Sequence, residues 1–311
     1  MCLSMIKQCE IVLYLIGCLI YQASFFIIKP VVYNVITKGN DNIMEWGTIS
    51  AASILAMIFS LAVSIGLPIV LGFIVYRKTH ARVSSCFIGA GIFVVFALIL
   101  EQILHAIVLA AAGTALQSNI FLYGLYGGLA AALFEETGRF VAMKFFMKKS
   151  LDKGNALMYG VGHGGVEAIL LVGFTYVNNI ITSILINSGG MQATMSQLTP
   201  EMQQATYQQL QALWQTEPYV FCMAGIERIS AVILQICLSV LVYKCVKTGQ
   251  KKFYAGAFAL HFIVDFVTVV TAGLGMPMWA VEIEIVVIVA VIVWGVAKIY
   301  RKDEDDGEDV A

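Results

Sequence analysis

The stretch Ile120–Phe146, IFLYGLYGGLAAALFEETGRFVAMKFF, decides the fold. As a helix it is long and apolar enough to cross a hydrocarbon core of about 30 Å, yet it contains Phe134-Glu135-Glu136-Thr137-Gly138-Arg139. Ionisable groups at membrane depth cost roughly 2.5–3.5 kcal/mol each on insertion scales. Such a group of charges must therefore pair or take part in chemistry. On a helix Glu135 and Arg139 are i,i+4, and Glu136 and Arg139 are i,i+3, so either carboxylate can meet the guanidinium and leave the other free. A structural ion pair and a functional site are the two readings. Whether other runs bring partners to the same depth decides between them.

Outward from that run the chain keeps the same character. Of its 311 residues, 59% are hydrophobic and 13% charged, against about 25% charged in a soluble domain. Further apolar runs are Ile11–Ile28, Thr48–Tyr76, Ser84–Gly113, Ala156–Ile186, Pro218–Tyr243, Phe253–Leu274 and Met278–Ile299. The chain is predicted to be all-α, a polytopic transmembrane helix bundle of about eight spans in a lipid bilayer. It reads as one membrane domain over 1–302, with its core over 84–275 and an acidic disordered tail over 303–311. The Ile11–Ile28 run starts like a signal peptide but is long and lacks a small-residue cleavage site, so it is read as a retained anchor. A net charge of −1 argues against nucleic acid as a partner. The seven cysteines have no CxxC or zinc-finger spacing and read as reduced packing residues.

Basic residues cluster after the second, fourth, sixth and eighth runs, and the loops after the third, fifth and seventh have none. The positive-inside rule then puts both termini in the cytoplasm, with Lys29 and Lys38 as the exceptions. The longest polar segment, 187–217, opens a helix at Thr199-Pro200-Glu201. Its Met202, Leu210, Leu213 and Trp214 suit either an amphipathic helix on the membrane surface or one packed on its own protein.

Two other runs carry His and an acid four residues apart: His163 and Glu167, and His261 and Asp265. At about 1.5 Å per residue, Glu136 lies about 12 Å from the basic end of its run, His163 about 15 Å and His261 about 13–14 Å. Scattered structural polar residues need not share a level in this way. Gly160, Gly162, Gly164 and Gly165 surround His163, and Gly124, Gly127 and Gly128 precede the Glu pair; small residues let membrane helices approach closely. Glu101 and His105 read as supporting residues or a separate pair. Glu227 and Arg228 are adjacent and point about 100° apart, so each is expected to need a partner on another span.

Glu135-Glu136-x-x-Arg139, Tyr159-x-x-x-His163 and His261-x-x-x-Asp265, in that order, resemble the type II CAAX prenyl endopeptidase superfamily, which includes PrsW proteases and the Aph subunit of γ-secretase. Within it the chain looks most like the bacterial YhfC branch, over about residues 84–275. The prenyl endopeptidases have three residues between the Glu pair and Arg, and here there are two, so either Glu can be the catalytic one. The resemblance implies an intramembrane endopeptidase acting on a membrane-embedded or lipid-modified peptide. It implies that Glu135 or Glu136, with His163, activates water, and that His261 and Asp265 stabilise the oxyanion or complete the site. Arg139, Glu167, Tyr159, Glu101, His105, Glu227 and Arg228 are then supporting residues. A metal-free glutamate mechanism is expected, since there is no HExxH string; zinc on His163, His261 and Glu136 is the alternative. The competing functions are a proton-coupled transporter and a catalytically inactive scaffold for partner helices.

Overall fold

The computed structural model describes residues 45–305, and the Ile11–Ile28 run and most of the acidic tail lie outside them. The helices are α1 (Ala51–Thr79), α2 (Val83–Gln117), α3 (Ile120–Val141), α4 (Lys153–Asn187), the short α5 (Gly190–Met195), α6 (Pro200–Leu210) and α7 (Ala212–Gln215), then α8 (Pro218–Thr248), α9 (Lys252–Gly273) and α10 (Met278–Asp305). Among the described residues, six helices are long and apolar enough to cross a membrane: α1, α2, α4, α8, α9 and α10. The 22-residue α3 is long enough too, and its charges are turned inward, with Glu135 7%, Glu136 0% and Arg139 0% exposed. The described helices are compatible with an all-helical, integral membrane protein of about eight spans. Large apolar side chains such as Phe73, Phe87, Ile107 and Trp294 face outward, as expected where lipid is the solvent.

Local chemistry fixes the helix ends. Ser50, Asn119, Asp152 and Thr199 each accept a backbone N–H in the first turn of α1, α3, α4 and α6, which satisfies donors the helix cannot. Helix α1 stops at His80, a left-handed residue that follows Arg77 and Lys78. Three π-helical stretches interrupt the ladder, at Phe96–Glu101 within α2, Ala142–Phe146 after α3 and Ala168–Gly173 within α4. Single π turns re-aim side chains and recur at functional sites. Glu101 closes the first of these stretches, and Glu167 immediately precedes the third.

Helix α8 is the centre of the bundle. Two-thirds of its most apolar window is buried, against a third or less for the other five crossing helices, and it packs on α1, α4, α9 and α10. Helix α3 packs on α9, and the first half of α2 packs on the first half of α4. The glycines of α4 make this possible. A Cβ on Gly160 would sit 2.6 Å from Ile236 Cα, one on Gly165 would sit 2.7 Å from Pro68 Cβ, and one on Gly162 would run into the Cys86 carbonyl. Helix α4 is thus held against α8, α1 and α2 at once, with His163 between those contacts. Gly124 and Gly128 serve packing, facing Phe266 and Phe262 of α9.

The polar segment after α4 packs on its own protein. Trp46, Tyr207 and Trp214 form an aromatic cluster with ring centroids 5.3–5.8 Å apart. Tyr207 donates to the Glu45 carbonyl at 2.7 Å, and Leu213 is buried with Phe221.

Candidate active site

Adjacent residues on a helix diverge by about 100°, and α3 uses that divergence to serve two neighbours. Glu135 turns to α4, where its Oε2 lies 2.9 Å from His163 Nε2. Glu136 turns to α9, where its Oε1 lies 2.9 Å from His261 Nδ1. The two pairs adjoin: His261 Nε2 is 3.9 Å from Glu135 Oε2 and 3.6 Å from Asp265 Oδ2. An ionised carboxylate only accepts, so the Glu136 contact puts the proton on Nδ1 and leaves Nε2 to face the other two carboxylates. Arg139 Nε lies 3.5 Å from Glu136 Oε2. Tyr159 is fully buried, its ring 6.0 Å from that of His163.

Gln235 of α8 joins these groups, and the sequence reading missed it. Its Nε2 donates to Glu135 Oε2 at 2.9 Å and to Glu167 Oε2 at 3.0 Å. Its Oε1 accepts from Arg139 Nη2. Arg139 Nη1 donates to the Gln235 carbonyl at 2.8 Å and to Ser239 Oγ at 3.2 Å. The signal was present: Gln235 is nine residues before Lys244, or about 13–14 Å from the basic end, the level of His163 and His261.

Glu167 is continuous with Arg228, whose Nη1 donates to Glu167 Oε1 at 2.8 Å. Arg228 also grips its neighbour Glu227 with Nε at 2.6 Å and with Nη2. This corrects the expectation that adjacent Glu and Arg cannot pair well. Their Cβ atoms diverge, but the guanidinium stem is long enough to fold back while the third nitrogen reaches α4. Glu101 and His105 form a separate pair at 3.2 Å, extended by Tyr126 at 2.7 Å from His105 Nδ1.

The donor chemistry fits a divalent metal. One ligand atom each from Glu135, His163 and Glu167 lie within 4.8 Å of one another, and all three residues are buried. An imidazole with two carboxylates is an N/O set that zinc accepts. Charge balance points the same way. Glu135, Glu136 and Glu167 are buried together beside Asp265, while Arg139 is ion-paired with Glu136 and Arg228 is hydrogen-bonded to Glu167. An unbalanced buried carboxylate is expensive unless a cation compensates it. His261 and Glu136 adjoin this donor cluster as a hydrogen-bonded pair.

A family model described as "YhfC intramembrane metalloprotease" matches residues 63–288. A Bacillus subtilis (strain 168) protein described as "Uncharacterized membrane protein YhfC" is 36% identical over 259 residues, covering 81% of this chain and 98% of that protein. No solved structure matches. The family's description overturns the expected metal-free mechanism. The missing HExxH string misled because the converging donors come from two helices, α3 and α4, rather than from one short motif.

Proposed function

The chain belongs to the YhfC intramembrane metalloprotease family, and from that premise we propose that it hydrolyses a peptide bond of a membrane-embedded or lipid-modified substrate at the Glu135–His163–Glu167 centre. The convergence of those three donors inside the bundle is the observation that carries the proposal. Glu135, His163 and Glu167 would hold the metal; bound there, a divalent ion such as zinc would supply Lewis acidity and lower the pKa of a water.

The protein's own groups do the rest. Glu136, fixed by Arg139, accepts a hydrogen bond from His261 Nδ1 and so holds Nε2 toward Glu135 and Asp265. His261 Nε2 takes the proton from the attacking water as its oxygen bonds to the carbonyl carbon. It then passes that proton to the amine as the C–N bond breaks. Asp265, whose side chain is 33% exposed, is the most accessible acid of the group and is the route by which the buried His261 exchanges protons with solvent. The basic ends of the helices face the cytoplasm, so the reaction occurs in the cytoplasmic half of the membrane.

The test is cleavage of a membrane peptide by the purified chain in liposomes. Activity lost to a strong chelator and restored by zinc supports the reading; cleavage by metal-free protein in chelator would sink it.

A further inference from the structure

Gln235 sits where the charged groups of α3, α4 and α8 meet, and it is 3% exposed. A guanidinium offers only donors and an ionised carboxylate only acceptors. With Arg139 on one side and Glu135 and Glu167 on the other, the orientation of the amide is fixed. Both hydrogens of one amino group are directed at carboxylates of the metal-binding set. Arg139 holds the amide from behind through the side-chain oxygen and the backbone carbonyl. Glu167 is further pinned by Arg228, which lies seven residues before Gln235 and so on the same face of α8. Two carboxylates this close repel each other, and a neutral double donor between them offsets that repulsion.

We propose that Gln235 is a positioning residue that sets the separation of the Glu135 and Glu167 carboxylates and thereby the affinity of the metal centre. The inference rests on the metal-binding role given above to Glu135, His163 and Glu167. Groups that orient metal ligands typically contribute 10–100-fold in affinity. Methionine has nearly the length and volume of glutamine but donates nothing. Asparagine keeps the amide but is one methylene shorter.

The experiment uses the full chain in detergent, with zinc affinity measured by competition and the visible spectrum recorded on the cobalt-loaded protein. Q235M is expected to lower zinc affinity about 10–100-fold and to change the cobalt bands at saturation. Q235N is expected to move both in the same direction by less. S183A removes a buried hydroxyl of α4 that donates to the Asn179 carbonyl of its own helix, far along α4 from His163, and is expected to leave both unchanged. A wild-type chain that binds metal, with Q235M and Q235N matching it in affinity and spectrum, overturns the positioning role alone. A wild-type chain that takes up no metal overturns the metal centre and this inference together. Failure of both variants to give a monodisperse folded protein would mark Gln235 as a core residue and likewise overturn the role.

Discussion

His261 shows its two ring nitrogens to different carboxylates: Nδ1 lies 2.9 Å from Glu136 Oε1, while Nε2 lies 3.9 Å from Glu135 Oε2. Two consecutive acids of α3 therefore have different surroundings. Glu135 belongs to the converging donors, and Glu136 is closed in between Arg139 and an imidazole.

Glu136→Gln is expected to retain bound metal and lower turnover about 10²–10⁴-fold, because a neutral amide no longer fixes the imidazole proton on Nδ1. Glu135→Gln is expected to lower bound metal and turnover together. Metal analysis beside single-turnover kinetics separates the two, and equal metal loss in both variants would contradict the assignment.

The histidines divide in the same way. His163→Ala is expected to strip the metal, and His261→Ala is expected to keep it while losing at least about 10²-fold in rate. The measurement is zinc per protein after gel filtration. Retention of zinc by His163→Ala would remove that residue from the ligand set.

Arg139→Ala leaves Glu136 and Gln235 without their cation in a site that is 0% exposed at Arg139. Breaking a buried pair from one side costs about 3–5 kcal/mol. A large fall in thermal unfolding temperature is therefore expected in addition to lost activity. Lysine cannot reproduce the contacts to Glu136, Gln235 and Ser239, so Arg139→Lys should rescue little. Full thermal stability in Arg139→Ala would argue against the network.

Gly162→Ala drives a methyl into the Cys86 carbonyl, where backbone meets backbone and neither side can yield easily. A loss of about 1–3 kcal/mol or more is expected, with activity falling as α4 moves off α2 and takes His163 with it. Gly91→Ala is the control, because its Cβ would meet nothing within 4 Å, and it should be neutral or stabilising by up to about 1 kcal/mol. Chemical or thermal unfolding of the two variants side by side gives the comparison.

Much of the helical architecture was legible because hydropathy and charge mark span ends directly, and the common level of Glu136, His163 and His261 followed from helix rise alone. Other features were hidden for physical reasons. Gln235 carries no charge, so one amide in the apolar Pro218–Tyr243 run gave little warning, although depth counting would have placed it. Glu167 read as a supporting residue, since spacing on α4 does not reveal that Gln235 and Arg228 of another helix turn it toward Glu135. The Glu227–Arg228 contact depends on the reach of a flexible stem, which Cβ directions do not encode. Glu282 of α10, 5% exposed, was passed over within a run that otherwise read as a plain span.

The bond from Arg139 to Gln235 spans 96 positions of chain, and that separation has a consequence for how the protein is made. At about 5–20 residues per second of synthesis, the ribosome needs on the order of 5–20 s to deliver α8 after α3 has emerged. Through that interval the nascent α3 holds two acids and a guanidinium without the amide that later joins them. It must wait at the translocon or in a chaperoned, partly hydrated state. Chains truncated before Gln235 should accordingly fail to keep α3 stably within the bilayer, as glycosylation-site mapping of ribosome-bound intermediates would show.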